Sequence, residues 1–333
     1  MALISKNRGR GASRAGNPPK PAPSSAKPNP DPNRINQAVF TPGHHNLQNL
    51  DQSKKDGLLL DAIRAGDTQR VNMLLNAFAD PFARTRSGIP ALVLASMGGH
   101  AEIIKMLLDC GADPDTAGKK GELALNCAIE SGDLDSVKAL TLNIMNPADP
   151  ARKDGKGDNA VHAAAKAGDK EIMWAVLESD PPLNEKNADE ETAVMIAIKN
   201  WDKDIVYLLI DVRANLDVPG PEGNRAIMYA LKYGEEHEDE EMAICLLMHG
   251  ARVNVTNDMG IPPLFSAVAS QMYCVVAKMI EKKVDTNYKT KIKFEGEWFK
   301  TKVSALEIAK SLEDELMEEL LREGGATDSF WSF

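Results

Sequence analysis

From Asp56 onward the apolar residues come in short clusters rather than long amphipathic runs. "EIIKMLL" (102–108) is representative, with Ile103-Ile104 and Leu107-Leu108 one helical turn apart. The same rhythm returns in "RVNMLL", "SVKALTL", "EIMWAVL", "DIVYLLI", "EMAICLLM" and "CVVAKMI". This spacing predicts helices of about two turns. Ahead of these clusters run Ala-rich segments: "ALVLASMGG", "ALNCAIESG", "AVHAAAKAG", "AVMIAIKNW" and "AIMYALKYG". Between the two lies a tight turn, as at Gly66-Asp67, Gly99-His100, Gly132-Asp133 and Gly168-Asp169, where glycine supplies the left-handed conformation that ends a helix. Each unit therefore predicts a pair of short helices. Helices below about 12 residues are marginal alone in water. Their apolar faces must lean on the partner helix and on neighbouring units, forming one continuous, quasi-one-dimensional core.

The period is measurable. The step that ends each second helix falls at Phe78-Ala79, Gly111-Ala112, Ile144-Met145, Asp180-Pro181, Arg213-Ala214, Gly250-Ala251, Lys283-Val284 and Gly325-Ala326. The intervals are 33, 33, 36, 33, 37, 33 and 42 residues. A 33-residue unit carrying three insertions accounts for them.

Both the period and the phrases resemble the ankyrin repeat. That family's "TPLHLAA" phrase appears in worn form at Asn159–Ala164, Thr192–Ala197 and Pro262–Ala267. Its "GADVN" phrase appears at Gly111–Asp115 and Gly250–Asn254. The resemblance covers 56–327 in about eight repeats. It implies an all-α repeat solenoid, a curved elongated stack of antiparallel helix pairs with β-turn or hairpin fingers. The first and last units carry extra charge, as end caps should.

Residues 1–55, with "NPPKPAPSSAKPNPDPN", offer little to bury and are expected to form a disordered basic arm. Residues 328–333 form an aromatic tail, whose Trp331 and Phe333 would suit strand addition to a partner. Charge follows this division. The net −10 resolves into +7 for residues 1–55 and −17 for the rest. An acidic body argues against nucleic acid as its ligand. Four scattered cysteines, no apolar run of about 18 residues and no signal-peptide pattern point to a reducing, cytoplasmic setting. Cys127, Cys245 and Cys274 are expected to be partly buried in helices. A monomer is the expected state.

No catalytic, cofactor or metal constellation is present in the sequence: neither HExxH nor a P-loop occurs. His162 and His100 fall where the resemblance implies structural hydrogen bonds between fingers and helix starts. "GEEHEDEEMA" (234–243) falls in a turn four residues longer than its counterparts and is expected to be a solvated loop.

The resemblance places partner proteins on the concave face, built from finger tips and first helices. There Lys166, Lys199 and Lys232 recur every 33 residues and should form a ladder, with Trp201 and Tyr233 beside it. The finger tips add Lys119, Lys120, Arg152, Lys153, Lys156 and Lys186. Such a strip would steer an acidic segment. A second surface is the long finger 284–303, where "KIKFEGEWFK" predicts a hairpin near Gly296 that brings Tyr288, Phe294, Trp298 and Phe299. The expected function is a non-enzymatic protein-binding scaffold or adaptor. The alternatives are a regulatory inhibitor subunit of an enzyme, or a cytoskeletal or membrane-protein anchor.

Overall fold

The computed structural model describes residues 47–291, 293–294, 297–298 and 302–328. The chain divides into two units, Met1–Val39 and Phe40–Phe333. The first lies wholly outside the described residues, as do residues 329–333 of the tail.

Among the described residues of the second unit, sixteen helices form eight pairs. The pairs are α1 (Gln52–Arg64) with α2 (Thr68–Asn76), α3 (Ala91–Met97) with α4 (Ala101–Asp109), and α5 (Ala124–Ser131) with α6 (Leu134–Thr141). Next come α7 (Ala160–Ala167) with α8 (Lys170–Leu177), α9 (Ala193–Lys199) with α10 (Lys203–Asp211), and α11 (Ala226–His237) with α12 (Glu241–Met248). The last are α13 (Pro263–Ala269) with α14 (Tyr273–Glu281) and α15 (Ala305–Ser311) with α16 (Glu315–Glu323). The first helix opens at Gln52, four residues before the expected boundary, with its N-terminus capped by Asp51.

Each first helix packs on the next first helix, and the second helices form a parallel row. The row is thinnest between α10 and α12, where Lys203 reaches Glu241 at 2.5 Å and Tyr207 reaches it at 3.4 Å. The apolar pairs face inward: Ile103, Ile104 and Leu107 are fully buried, as are Leu140, Ile172, Val176, Ile205 and Leu209. Burying such a side chain contributes about 1.5–3 kcal/mol, and every repeat repeats the gain. Helix starts are fixed by side-chain caps. Asp67, Asp133, Asp169, Asp202 and Asp314 each accept a backbone N–H from the first turn of a second helix.

The unit ends share one geometry. Phe78, Gly111, Asp180, Arg213, Gly250, Lys283 and Gly325 all have positive φ. Except at Asp180, where Pro181 and Pro182 follow and lack an N–H, the next residue's N–H donates back five residues, as Ala79 to Leu74 (2.9 Å), Ala112 to Leu107 (3.0 Å) and Ala326 to Leu321 (2.9 Å). The third unit corrects the sequence reading. The equivalent bond runs from Ala148 to Leu140 (2.9 Å), so its marker is Pro147-Ala148 and not Ile144-Met145. Proline holds φ near −65° and cannot take the left-handed step. The chain makes a three-residue detour instead and leaves Ile144 97% exposed.

The expected loop at 234–243 is also corrected. Four added residues are about one helical turn, and α11 continues through Gly234–His237, with Glu238 taking the left-handed position. The turns of the later repeats use Trp201, Glu238, Gln271 and Glu313 at positive φ where the first four use glycine. Each non-glycine residue there costs about 1–2 kcal/mol.

Successive fingers are stitched by side chains that accept the backbone N–H of the next repeat: Asp115 from Asp149, Asn184 from Asn215, Asp217 from Arg252, Asn254 from Asp285 and Asn287 from Thr327. In the long finger, Lys293–Phe294 pairs antiparallel with Glu297–Trp298, which is the hairpin the sequence predicts. At its base Thr290 and Val303 exchange N–H···O bonds of 3.1 and 2.9 Å.

Candidate partner-binding groove

The first helices α9, α11 and α13, with the fingers between them, line a groove of about 620 Å³. Lys199, Lys232, Tyr229, Tyr233 and Met228 come from the helices, and Glu222, Asn224, Asn257, Met259 and Ile261 from the fingers. Glu191 and Glu235 complete its charge. The groove thus gathers Lys199, Lys232 and Tyr233 from the predicted ladder, and adds Tyr229, which the sequence reading missed. Tyr229 precedes Lys232 by three and Tyr233 by four positions, so helical spacing alone puts the three side by side. Burial, then the charge of Glu191, pushes the Tyr229 hydroxyl up to about 12, so it stays a neutral donor.

The ladder lysines differ in their surroundings. Lys166 donates to the buried Asp158, whose other carboxylate oxygen accepts from Asn187 at 2.9 Å. Lys199 donates to both oxygens of the buried Glu191, at 2.7 and 3.0 Å. The Lys199 ammonium is thereby held above the usual lysine range, first by this hydrogen bond. Lys232 makes no ion pair among the described residues and lies 5.2 Å from the Tyr233 ring centroid.

Trp201 does not line the groove. It occupies the turn after α9, and its ring stacks on His237 of the added helical turn, with centroids 4.6 Å apart.

Several finger-tip cations are tied into the fold. Lys153 pairs with Glu185 at 2.9 Å and donates to the Lys186 carbonyl at 3.0 Å. Lys186 donates in turn to the Pro219 carbonyl, one repeat further on, at 3.1 Å. Lys156 pairs with Glu130 at 3.2 Å. Lys119, Lys120 and Arg152 are exposed and form no ion pair among the described residues. In the long finger, the Tyr288 hydroxyl donates to the Gly260 carbonyl at 3.3 Å and its ring meets Phe265 edge-on at 6.3 Å. These contacts seat the finger on the preceding repeat. Only backbone is described for Phe294 and Trp298, and Phe299 lies outside the described residues.

The histidines divide. His162 exchanges hydrogen bonds with the Asn159 cap, and its Nε2 lies 3.1 Å from the carbonyls of both Glu185 and Glu191 in the next finger. Burial pushes its pKa down. His100 makes no side-chain hydrogen bond among the described residues. Its ring fills the space beside the glycines of its own turn and the preceding one, where a Cβ on Gly98 or Gly66 would collide with it at 2.4 or 2.7 Å. The cysteines are free thiols. Cys127 is buried and its thiol is pushed up to about 12, whereas Cys274 is exposed because it stands opposite the buried Val275 and Val276 on α14.

The family model for ankyrin repeats (three copies) matches residues 59–154, 141–220 and 161–257. The chain belongs to the ankyrin-repeat family. The seventh and eighth helix pairs lie beyond the matched residues but keep the same unit-end bond, Val284 to Met279 and Ala326 to Leu321. No curated protein matches the chain. Ankyrin repeats are protein–protein interaction modules. Among the described residues of this one, no helix is long and apolar enough to cross a membrane.

Proposed function

We propose that this ankyrin-repeat chain is a scaffold or adaptor that seats an extended, acidic segment of a partner protein in the groove of α9, α11 and α13. One observation carries the reading: Tyr229, Lys232 and Tyr233 stand together in a groove of about 620 Å³, their hydrogen-bonding groups without partners among the described residues. Tyrosines beside a cation give large contact area at low ordering cost and are enriched at interface hot spots. The long finger 284–303 serves as a second contact, supported by its short hairpin, whose strand edges suit backbone pairing. The scaffold role involves no chemistry by this chain.

The test is a pull-down from native extract comparing the wild-type chain with Tyr229→Ala and Lys232→Glu. Both residues can be changed without removing a buried partner. Lys166→Glu or Lys199→Glu would instead set a carboxylate against the buried Asp158 or Glu191 and perturb the fold. Partners lost with both groove variants and retained by Lys119→Glu/Lys120→Glu support the groove. Partners indifferent to Tyr229 and Lys232 would sink it.

A further inference from the structure

Three successive repeats close their fingers with the same backbone hydrogen bond and differ in the side chain at that junction. Eight residues before Lys166, Lys199 and Lys232, where finger meets first helix, stand Asp158, Glu191 and Asn224. The finger closes identically at each: Asp154 N–H to Asp158 O (2.9 Å), Asn187 N–H to Glu191 O (3.0 Å) and Gly220 N–H to Asn224 O (2.8 Å). In the first two repeats the buried carboxylate takes the ammonium of its own lysine. In the third an amide stands in that place. The Asn224 Oδ1 accepts from Asn257 at 3.1 Å, and its Nδ2 has no acceptor among the described residues. Lys232 is left with a ring face and no carboxylate.

The groove brings four donors without acceptors among the described residues: the ammonium of Lys232, the Asn224 amide and the hydroxyls of Tyr229 and Tyr233. The remaining charges of the groove limit what can enter. Lys199 is already neutralised by Glu191. Glu235, held by Ser270 at 2.8 Å, and Glu222 would repel a second acid. Met259, which is exposed, and Ile261 offer apolar surface on the finger side.

We infer that the groove anchors its partner through a single carboxylate, an aspartate or glutamate side chain of an extended segment. It takes at Lys232 the place that Asp158 and Glu191 take at Lys166 and Lys199. Apolar rather than acidic residues flank it. The inference rests on the groove being the partner site proposed above. It replaces a ladder of three equal cations by one open position, created by Asn224.

The experiment selects displayed random dodecapeptides on the full chain and compares wild type, Asn224→Asp, Lys232→Glu and Tyr229→Ala. Asn224→Asp keeps the acceptor for Asn257 and supplies the missing carboxylate from within, so thermal unfolding should be unchanged or slightly raised. Wild-type selectants should share one acidic position, and lose at least about tenfold in affinity when it becomes Asn or Gln. They should lose as much on Asn224→Asp, and Lys232→Glu should select Lys or Arg at that position instead. Selectants that need Tyr229 but have no fixed acid and ignore Asn224→Asp would overturn the anchor and leave the groove standing. Selectants indifferent to all three variants, or no enrichment at all, would overturn both.

Discussion

Lys199 lies 2.7 and 3.0 Å from the two carboxylate oxygens of Glu191, a residue buried at the root of its own finger. The pair joins the finger to the far end of α9, eight residues on. Lys199 is therefore part of the scaffold that shapes the groove. Replacing it by alanine strands a buried carboxylate. Because the lysine itself is about two-fifths exposed, the cost should lie between those of a surface and a buried pair, about 1–2 kcal/mol. Lys232→Ala should cost less than about 0.5 kcal/mol. Chemical denaturation of the two variants checks the contrast.

The same pair sets a pH dependence. Lys199 is held above its ordinary value in the folded chain, chiefly by the Glu191 hydrogen bond. Its contribution is complete below the unfolded lysine value of about 10.4 and is lost as pH rises through the folded one. Stability should therefore fall in the alkaline limb, and less steeply in Lys199→Ala than in wild type. Denaturation midpoints between neutral pH and about pH 11 provide the test.

The backbones of two fingers meet at Gly155, whose N–H donates to the Gly121 carbonyl at 3.2 Å. A Cβ at Gly155 would sit 2.0 Å from the Lys120 carbonyl oxygen, a backbone atom that cannot swing aside. Gly155→Ala should destabilise by more than about 1 kcal/mol. Gly57, inside α1 with open space around it, gives the opposite sign: Gly57→Ala should stabilise by about 0.5–1 kcal/mol. Thermal unfolding of both variants separates the two effects.

The third repeat makes its detour because Pro147 precedes Ala148. Deleting 144–146 alone should destabilise, since proline would then occupy the left-handed position. The same deletion with Pro147→Gly should recover stability to within about 0.5 kcal/mol of wild type, because Ile144 and Met145 are exposed and contribute no core. Equal stability of the two deletions would contradict this explanation.

Thiol labelling reports the core directly. Cys274 is exposed, whereas burial and the nearby Glu130 push the Cys127 thiol up to about 12. At pH 8, alkylation followed by mass spectrometry should mark Cys274 first and Cys127 last. Unfolding should abolish the difference.

The period, the helix pairs and the long finger's hairpin are legible in the sequence because they are local. Apolar spacing within nine residues and a turn residue at a fixed offset determine them. The step that ends the second helix is legible through the period at Phe78, Arg213 and Lys283 even where glycine is missing, and the structure adds that all three are left-handed. What escaped depends on contacts off the helical spacing. Lys166 and Lys199 read as free cations, because their carboxylates lie eight residues back, across a finger junction. Lys153 and Lys186 read as finger-tip charges, because the carbonyls they bridge to lie one repeat further on. The extra turn of α11 read as a loop, since "GEEHEDE" carries too many charges to signal burial. The signal that could have found the groove was the 33-residue series Asp158, Glu191, Asn224, set against the lysine series.

The partner proposed for the groove docks on the Tyr229 face of α11. A photo-crosslinking amino acid placed at Tyr229, and separately at Tyr207 on the second-helix row, tests it most directly when adducts formed in native extract are mapped by mass spectrometry. A defined partner segment should be joined at position 229, absent in the Lys232→Glu background, and none of it at 207. Adducts with the same segment at 207 alone would contradict it.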